Sequence, residues 1–196
     1  MVEFSPDYSR CFWQGEKTRL RPFRLEDAEL RFVESLDSPT VQLHQDGIEL
    51  PTSVELQREW LQKASGCKDD GMIRFAMENL EGVTIGWVTL HSRSDKNGTF
   101  SFGVAVYRGH RGHGYAVDAV RIVLKYGFWE RRYQKCNSVC LHSNQASIRM
   151  HEKLGFVEEG RIRRSSFFNG TYHDDVLFGM TREEFDRLMT AYDRSG

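Results

Sequence analysis

Nine residues, Arg108-Gly109-His110-Arg111-Gly112-His113-Gly114-Tyr115-Ala116, carry the clearest chemical signal in the chain. A strand-like segment, Thr99 to Tyr107, precedes them, and a long amphipathic pattern, Tyr115 to Trp129, follows. Glycines let a ligand approach the backbone closely, and a helix start offers unpaired N–H groups with a partial positive charge. That combination fits a phosphate or pyrophosphate. Arg108, Arg111 and two histidines add cationic or hydrogen-bonding groups at the same place. The same residues would also serve as a solvated basic turn with its glycines at left-handed positions. No Gly-x-x-x-x-Gly-Lys-Ser/Thr is present, which excludes the P-loop of nucleotide hydrolases. A dinucleotide-binding glycine motif needs a parallel βαβ unit around its turn. Here the preceding strand is predicted to be half of a hairpin.

The surrounding elements must hold that turn in place. Lys17 to Arg24 reads as a first strand, with Pro22 favouring a sheet edge. Leu25, Ala28, Phe32 and Leu36 recur at helical spacing and predict a helix. Asp37 to Pro51 is expected to be an irregular loop. Thr52 to Glu55 forms a capping-box pattern that opens a second helix, ending at about Ala64. Met72 to Glu78, Val83 to His91 and Thr99 to Tyr107 read as an antiparallel meander, turning at Asn79 to Gly82 and at Asp95 to Gly98. In the long helix Ala116, Val120, Val123 and Gly127 form one stripe, which Ala119, Leu124 and Phe128 broaden. Lys135 to Leu141 is a further strand and Asn144 to Leu154 a short helix. Phe156 to Phe168 and Thr171 to Met180 form a second hairpin around Asn169-Gly170. A last helix starts at Thr181, with Thr181 and Glu184 as its capping box.

With 196 residues the chain fits one domain, spanning 1–196 with a core from about 18 to 185. Net charge is −1, which disfavours a general nucleic-acid binder. No apolar run approaches the ~20 residues a membrane-spanning helix needs. Met1 to Gly15 lacks a hydrophobic signal core. Cys136 and Cys140 fall on one face of a strand, about 13 Å apart at ~3.3 Å per residue, too far for a disulfide. A reduced, cytoplasmic protein is the simplest expectation. The seven histidines and four cysteines show no metal-ligand spacing, so no metal is implied.

Arg111-x-x-Gly114-x-Ala116, followed by Asn144-x-x-Ser147 and Leu154-Gly155-Phe156, resembles the paired motifs of the GNAT superfamily of acetyl-CoA-dependent N-acetyltransferases. The resemblance covers about Thr18 to Phe185. Thr18 to Ala28 and Asn169 to Asp174 are similar to the branch containing ribosomal-protein N-terminal and spermidine acetyltransferases. The fold so implied is α+β: a central mixed, mostly antiparallel sheet flanked by helices. The resemblance implies acetyl-CoA as co-substrate, its pyrophosphate held by the backbone of Arg111, Gly112, His113, Gly114, Tyr115 and Ala116. Its pantetheine arm would lie along Phe102 to Val106, with an N–H near Val104 to Val106 polarising the acetyl carbonyl. Asn144 would bind the arm or the adjoining backbone, with helix capping as its other role. Ser147 would face the same cleft.

For the leaving-group acid, many members carry Tyr where this chain has His151, and some ribosomal-protein relatives use the serine at Ser147. The glutamates that relatives use as base have no counterpart here: the first region reads Thr99-Phe100-Ser101-Phe102, and Ser166 stands where some carry Glu. His91, His173, Asp174 and ordered water are the remaining candidates. The acceptor implied is a primary amine, either a small molecule such as a polyamine or a protein N-terminus. Asp46, Glu49, Glu55 and Glu59 would attract a cationic amine, or simply form solvated faces. A homodimer is compatible with how relatives pair. The competing expectation is a GNAT-like module that senses acetyl-CoA without turnover.

Overall fold

The computed structural model describes residues 7–45, 50–64 and 71–193. Seven strands form one sheet: β1 (Thr18–Arg21), β2 (Ile73–Asn79), β3 (Thr84–Ser94), β4 (Thr99–Val106), β5 (Lys135–Leu141), β6 (Val157–Phe168) and β7 (Thr171–Thr181). Their spatial order is β1-β2-β3-β4-β5-β7-β6. Every pairing is antiparallel except β4 with β5, where the chain crosses over through a helix. The mixed, mostly antiparallel sheet expected from the sequence is therefore present. β1 stops at Arg21 because Pro22 has no N–H to continue the ladder, and β1 is an edge strand.

Strand alternation sorts the side chains into two cores. Ile73, Phe75 and Met77 of β2 join the larger one, while Ala76 between them faces the smaller. The larger core is filled by α4 (Tyr115–Lys125), by Leu154 of α5 (Gln145–Leu154), and by Phe185 and Met189 of α6 (Arg182–Asp193). The smaller core packs Ala28 of α1 (Asp27–Ser35) and Leu61 of α3 (Val54–Ala64) against the opposite face. α4 is buried nearly all round rather than on one stripe, because the sheet lies beneath it and α5 and α6 flank it. Its last turn widens to a π-helical turn over Tyr126–Glu130, with Gly127 pressed against the Phe100 ring. Among the described residues no helix is long and apolar enough to cross a membrane.

Two local expectations change, and a clamp not foreseen appears. The Asp37 to Pro51 segment is not wholly irregular: it contains α2 (Ser38–Gln45). Asp37 accepts the first helical N–H groups, from Thr40 and Val41, on its carbonyl, and Pro39 sits in the first turn where its missing N–H costs nothing. The start of α3 is capped by Ser53, whose Oγ accepts the Leu56 N–H at 3.2 Å, rather than by Thr52. The segment before β1 is tied to α4 by Asp118. Its buried carboxylate accepts the N–H groups of Glu16, Lys17 and Thr18 and the Thr18 hydroxyl, at 2.7 to 3.1 Å. The capping box of Thr181 and Glu184 and the left-handed Asn169-Gly170 turn form as predicted.

Candidate active site

β4 and β5 are paired only at Thr99–Ser101 with Lys135–Asn137; beyond that they diverge. β3 continues alongside β4 as far as Val106, and β7 alongside β5 as far as Leu141. The Tyr107 N–H donates to the Ile85 carbonyl on the β3 side. Alternation therefore turns the N–H and C=O groups of Val104 and Val106 away from β3, into the opening. An extended amide chain can lie there as a further strand.

The glycine-rich turn closes the wide end of that opening. Gly112 (φ +85°) and Gly114 (φ +83°) are both left-handed, a conformation that disfavours side chains. Gly114 is the N-cap of α4. Among the described residues, no backbone N–H from Arg111 to Ala116 donates to a protein acceptor. These donors stand at the positive end of a helix. The side chain of Arg111 does not join them. Its Nε donates to the Val106 carbonyl (3.0 Å) and its Nη2 to Thr40 Oγ1 (2.8 Å), fastening α2 to the turn. His113 stacks on Tyr115 with ring centroids 5.5 Å apart. Sequence reasoning missed Lys17, whose Nζ donates to the His113 carbonyl (3.0 Å) and lies 3.4 Å from the Cβ position of Gly114. Only the Asp118 clamp, about 100 residues away in sequence, brings this cation to the turn.

On α5, Asn144 acts as the N-cap, its Oδ1 accepting the Ser147 N–H at 3.1 Å. Ser147 is half-buried one turn before His151. His151 is 2 % exposed, stacked on Phe178 at 4.5 Å and edge-on to Phe156. Its Nδ1 lies 2.8 Å from the Ser147 carbonyl oxygen and its Nε2 2.8 Å from Ser138 Oγ. A carbonyl only accepts, so Nδ1 carries the proton and Nε2 accepts the Ser138 hydroxyl. Burial pushes the imidazole below its ordinary value, partly offset by the bond to Ser147. His151 is therefore a neutral core residue with both nitrogens engaged. The acid role expected for it does not fit this placement, in which neither ring nitrogen is free, and the half-buried Ser147 hydroxyl lies 3.5 Å from Nδ1.

The opposite face of the sheet carries a cavity of about 650 Å³ between α1, α2, α3 and β4, bounded by Trp60, Trp87, Tyr107, Glu34 and Arg31. Val106 reaches its edge, so the cavity and the strand opening meet there. His91 sits on this face beside Gly103, whose missing side chain leaves the imidazole Nε2 3.8 Å from the glycine Cβ position. Burial lowers the His91 pKa, with a bond to the Phe102 carbonyl opposing it. Glu55 and Glu59 are exposed and do not line the cavity. Asp46 and Glu49 lie outside the described residues. Asp174 accepts the Arg164 N–H (2.8 Å), which orders the β6–β7 hairpin, and His173 stacks on Phe168 at 3.8 Å. Among the described residues no cluster of histidine, cysteine or carboxylate could hold a metal ion.

Residues 17–157 match the model of the Acetyltransferase (GNAT) domain family. The SPbeta prophage-derived uncharacterized N-acetyltransferase YokL of Bacillus subtilis is 37% identical over 175 residues, 89% of this chain and 96% of YokL. The spermidine N(1)-acetyltransferase of Escherichia coli K12 is 27% identical over 171 residues, covering 87% of this chain and 89% of the enzyme. The crystal structure of spermidine N-acetyltransferase from Vibrio cholerae in complex with CoA and spermine superposes with a TM-score of 0.74 at 22% identity, covering 86% of this chain and 97% of that one.

Proposed function

The chain belongs to the GNAT acetyltransferase family, and from that premise we propose that it moves an acetyl group from acetyl-CoA directly to a primary amine. The observation that carries the site assignment is the run of unpaired N–H groups from Arg111 to Ala116, placed where β4 and β5 part. Acetyl-CoA supplies a thioester-activated acyl group. The six N–H groups take its pyrophosphate, with Lys17 adding a cation beside them. The exposed edge of Val104, with the Val106 N–H, pairs with the pantetheine amides, while Arg111 holds the Val106 carbonyl. An N–H of that edge stabilises the negative charge that develops on the thioester oxygen. Asn144 keeps an amide N–H2 group for the arm while its oxygen caps α5.

The amine enters from the cavity side and forms the C–N bond as the C–S bond breaks. His91 stands beside β4 on that face, but its ring is engaged by the Ser92 hydroxyl (2.9 Å) and the Phe102 carbonyl, so the ammonium proton leaves through ordered water. Ser147 gives its hydroxyl proton to the departing sulfur, and the proton that the newly acylated nitrogen sheds returns to the serine oxygen through water. His151 holds the carbonyl of Ser147 and so fixes the hydroxyl's position. Acetyl-CoA-dependent thiol release against polyamines, amino acids, aminoglycosides and short peptides tests the reaction. Turnover with an amine, abolished in a folded Gly114→Trp protein, is the expected result. Turnover that survives Gly114→Trp unchanged would refute the phosphate site.

A further inference from the structure

The cavity beside Val106 identifies the acceptor more closely than the family does. Its walls are largely apolar: Val41, Leu50, Leu56, Trp60, Trp87 and Ala105. Among the described residues lining it, Glu34 is the one carboxylate and Arg31 the one cation. They stand three residues apart on α1, hence on one face of the helix. The Arg31 guanidinium lies 4.2 Å from the Trp60 ring centroid and its Nε donates to Gln57 Oε1 at 3.1 Å. The exposed electron-rich face of Trp60 is thus already covered by a cation. Tyr107 on the floor is pushed up to about 12, chiefly by burial, and stays a neutral phenol.

Among the described residues, a chain of several ammonium groups would meet one carboxylate, one resident guanidinium and an apolar wall. Glu34 would compensate one of its charges, while Arg31 would repel the others. An amine with one ammonium group and an apolar body loses nothing of that kind. Its charge faces Glu34 while its body removes apolar wall from water. We propose that the acceptor is a monocationic primary amine with an apolar body, and that Arg31 selects against polyamines. This rests on the acetyl-transfer reading above for the cavity's role as the acceptor site.

The test uses the full chain with CoA present, phenethylamine and spermidine as probes, and two readouts. Tryptophan emission, from Trp60 and Trp87 in the wall, reports binding without turnover; thiol release with acetyl-CoA reports transfer. Phenethylamine should perturb the emission at concentrations at least about tenfold below spermidine, and the change should shrink in Trp60→Phe. Arg31→Gln should narrow that preference to less than about threefold, Arg31→Lys should keep it, and Glu34→Gln should weaken phenethylamine about tenfold. Spermidine binding as tightly as phenethylamine, or an unaltered preference in folded Arg31→Gln, would overturn the inference. Phenethylamine bound as expected without acetyl transfer would support the cavity's chemistry and refute the catalytic arrangement instead.

Discussion

Replacing His151 by glutamine separates a buried structural histidine from a proton donor. In the fold the ring is 2 % exposed and neutral, with Nδ1–H on the Ser147 carbonyl and Nε2 accepting from Ser138. Unfolded, it has the ordinary value of 6.5, and burial lowers it in the native state. As pH falls below that value the unfolded chain takes up a proton that the native chain refuses. The stability His151 contributes is therefore complete above the unfolded value and is lost as pH falls from there through the native one. One proton changes stability by at most about 1.4 kcal/mol per pH unit. Between about pH 6.5 and about pH 5.5 the wild type should lose stability, by up to about 1 kcal/mol, that His151→Gln does not lose. His91, also lowered by burial, contributes with the same sign in both proteins and cancels in the difference.

Near pH 7.5 the variant should be less stable by roughly 1–3 kcal/mol, because the stack on Phe178 and the fit around the ring are gone. That gap should narrow on acidification. Urea unfolding of both proteins at three pH values measures it. A gap independent of pH would refute the neutral, buried assignment. So would a kcat more than about a hundredfold lower in folded His151→Gln with acetyl-CoA binding intact, which would return the acid role to the imidazole.

Ser147→Ala should lower kcat by roughly 100-fold while leaving the KM for acetyl-CoA nearly unchanged, as read by steady-state thiol release. Gly114→Trp puts a side chain at φ +83° and into the glycine-rich turn proposed to hold the pyrophosphate. Calorimetry should register acetyl-CoA affinity down more than about tenfold, with left-handed strain of about 1–2 kcal/mol seen in denaturation. Gly127→Ala would drive a methyl group into the buried Phe100 ring, and thermal unfolding should report a loss of about 1–3 kcal/mol.

The features that rest on neighbours in sequence were legible without the fold. The Asn169-Gly170 turn, the capping box of Thr181 and Glu184, and the glycine run at the start of α4 each meet a local conformational demand, and residue type alone signals it. α2 had such a signal, Asp37 before Ser38-Pro39, but no apolar periodicity to accompany it. Its position is fixed from afar, by reciprocal amide bonds between Gln42 and Asn169 and by Arg111 on Thr40. His151 likewise reads as a helix histidine of either fate; Ser138, Phe156 and Phe178, from three separate strands or their edges, decide that it is buried. Lys17 reaches the glycine-rich turn only through Asp118, and Trp60, Trp87, Arg31 and Tyr107 share a cavity only because α1, α3, β3 and β4 pack together. The sequence by itself determined most of the elements and the glycine-rich turn at the start of α4, since these follow from local backbone geometry. The tertiary structure decided which groups are charged, buried or within reach of a ligand, because desolvation and contact depend on residues distant in the chain.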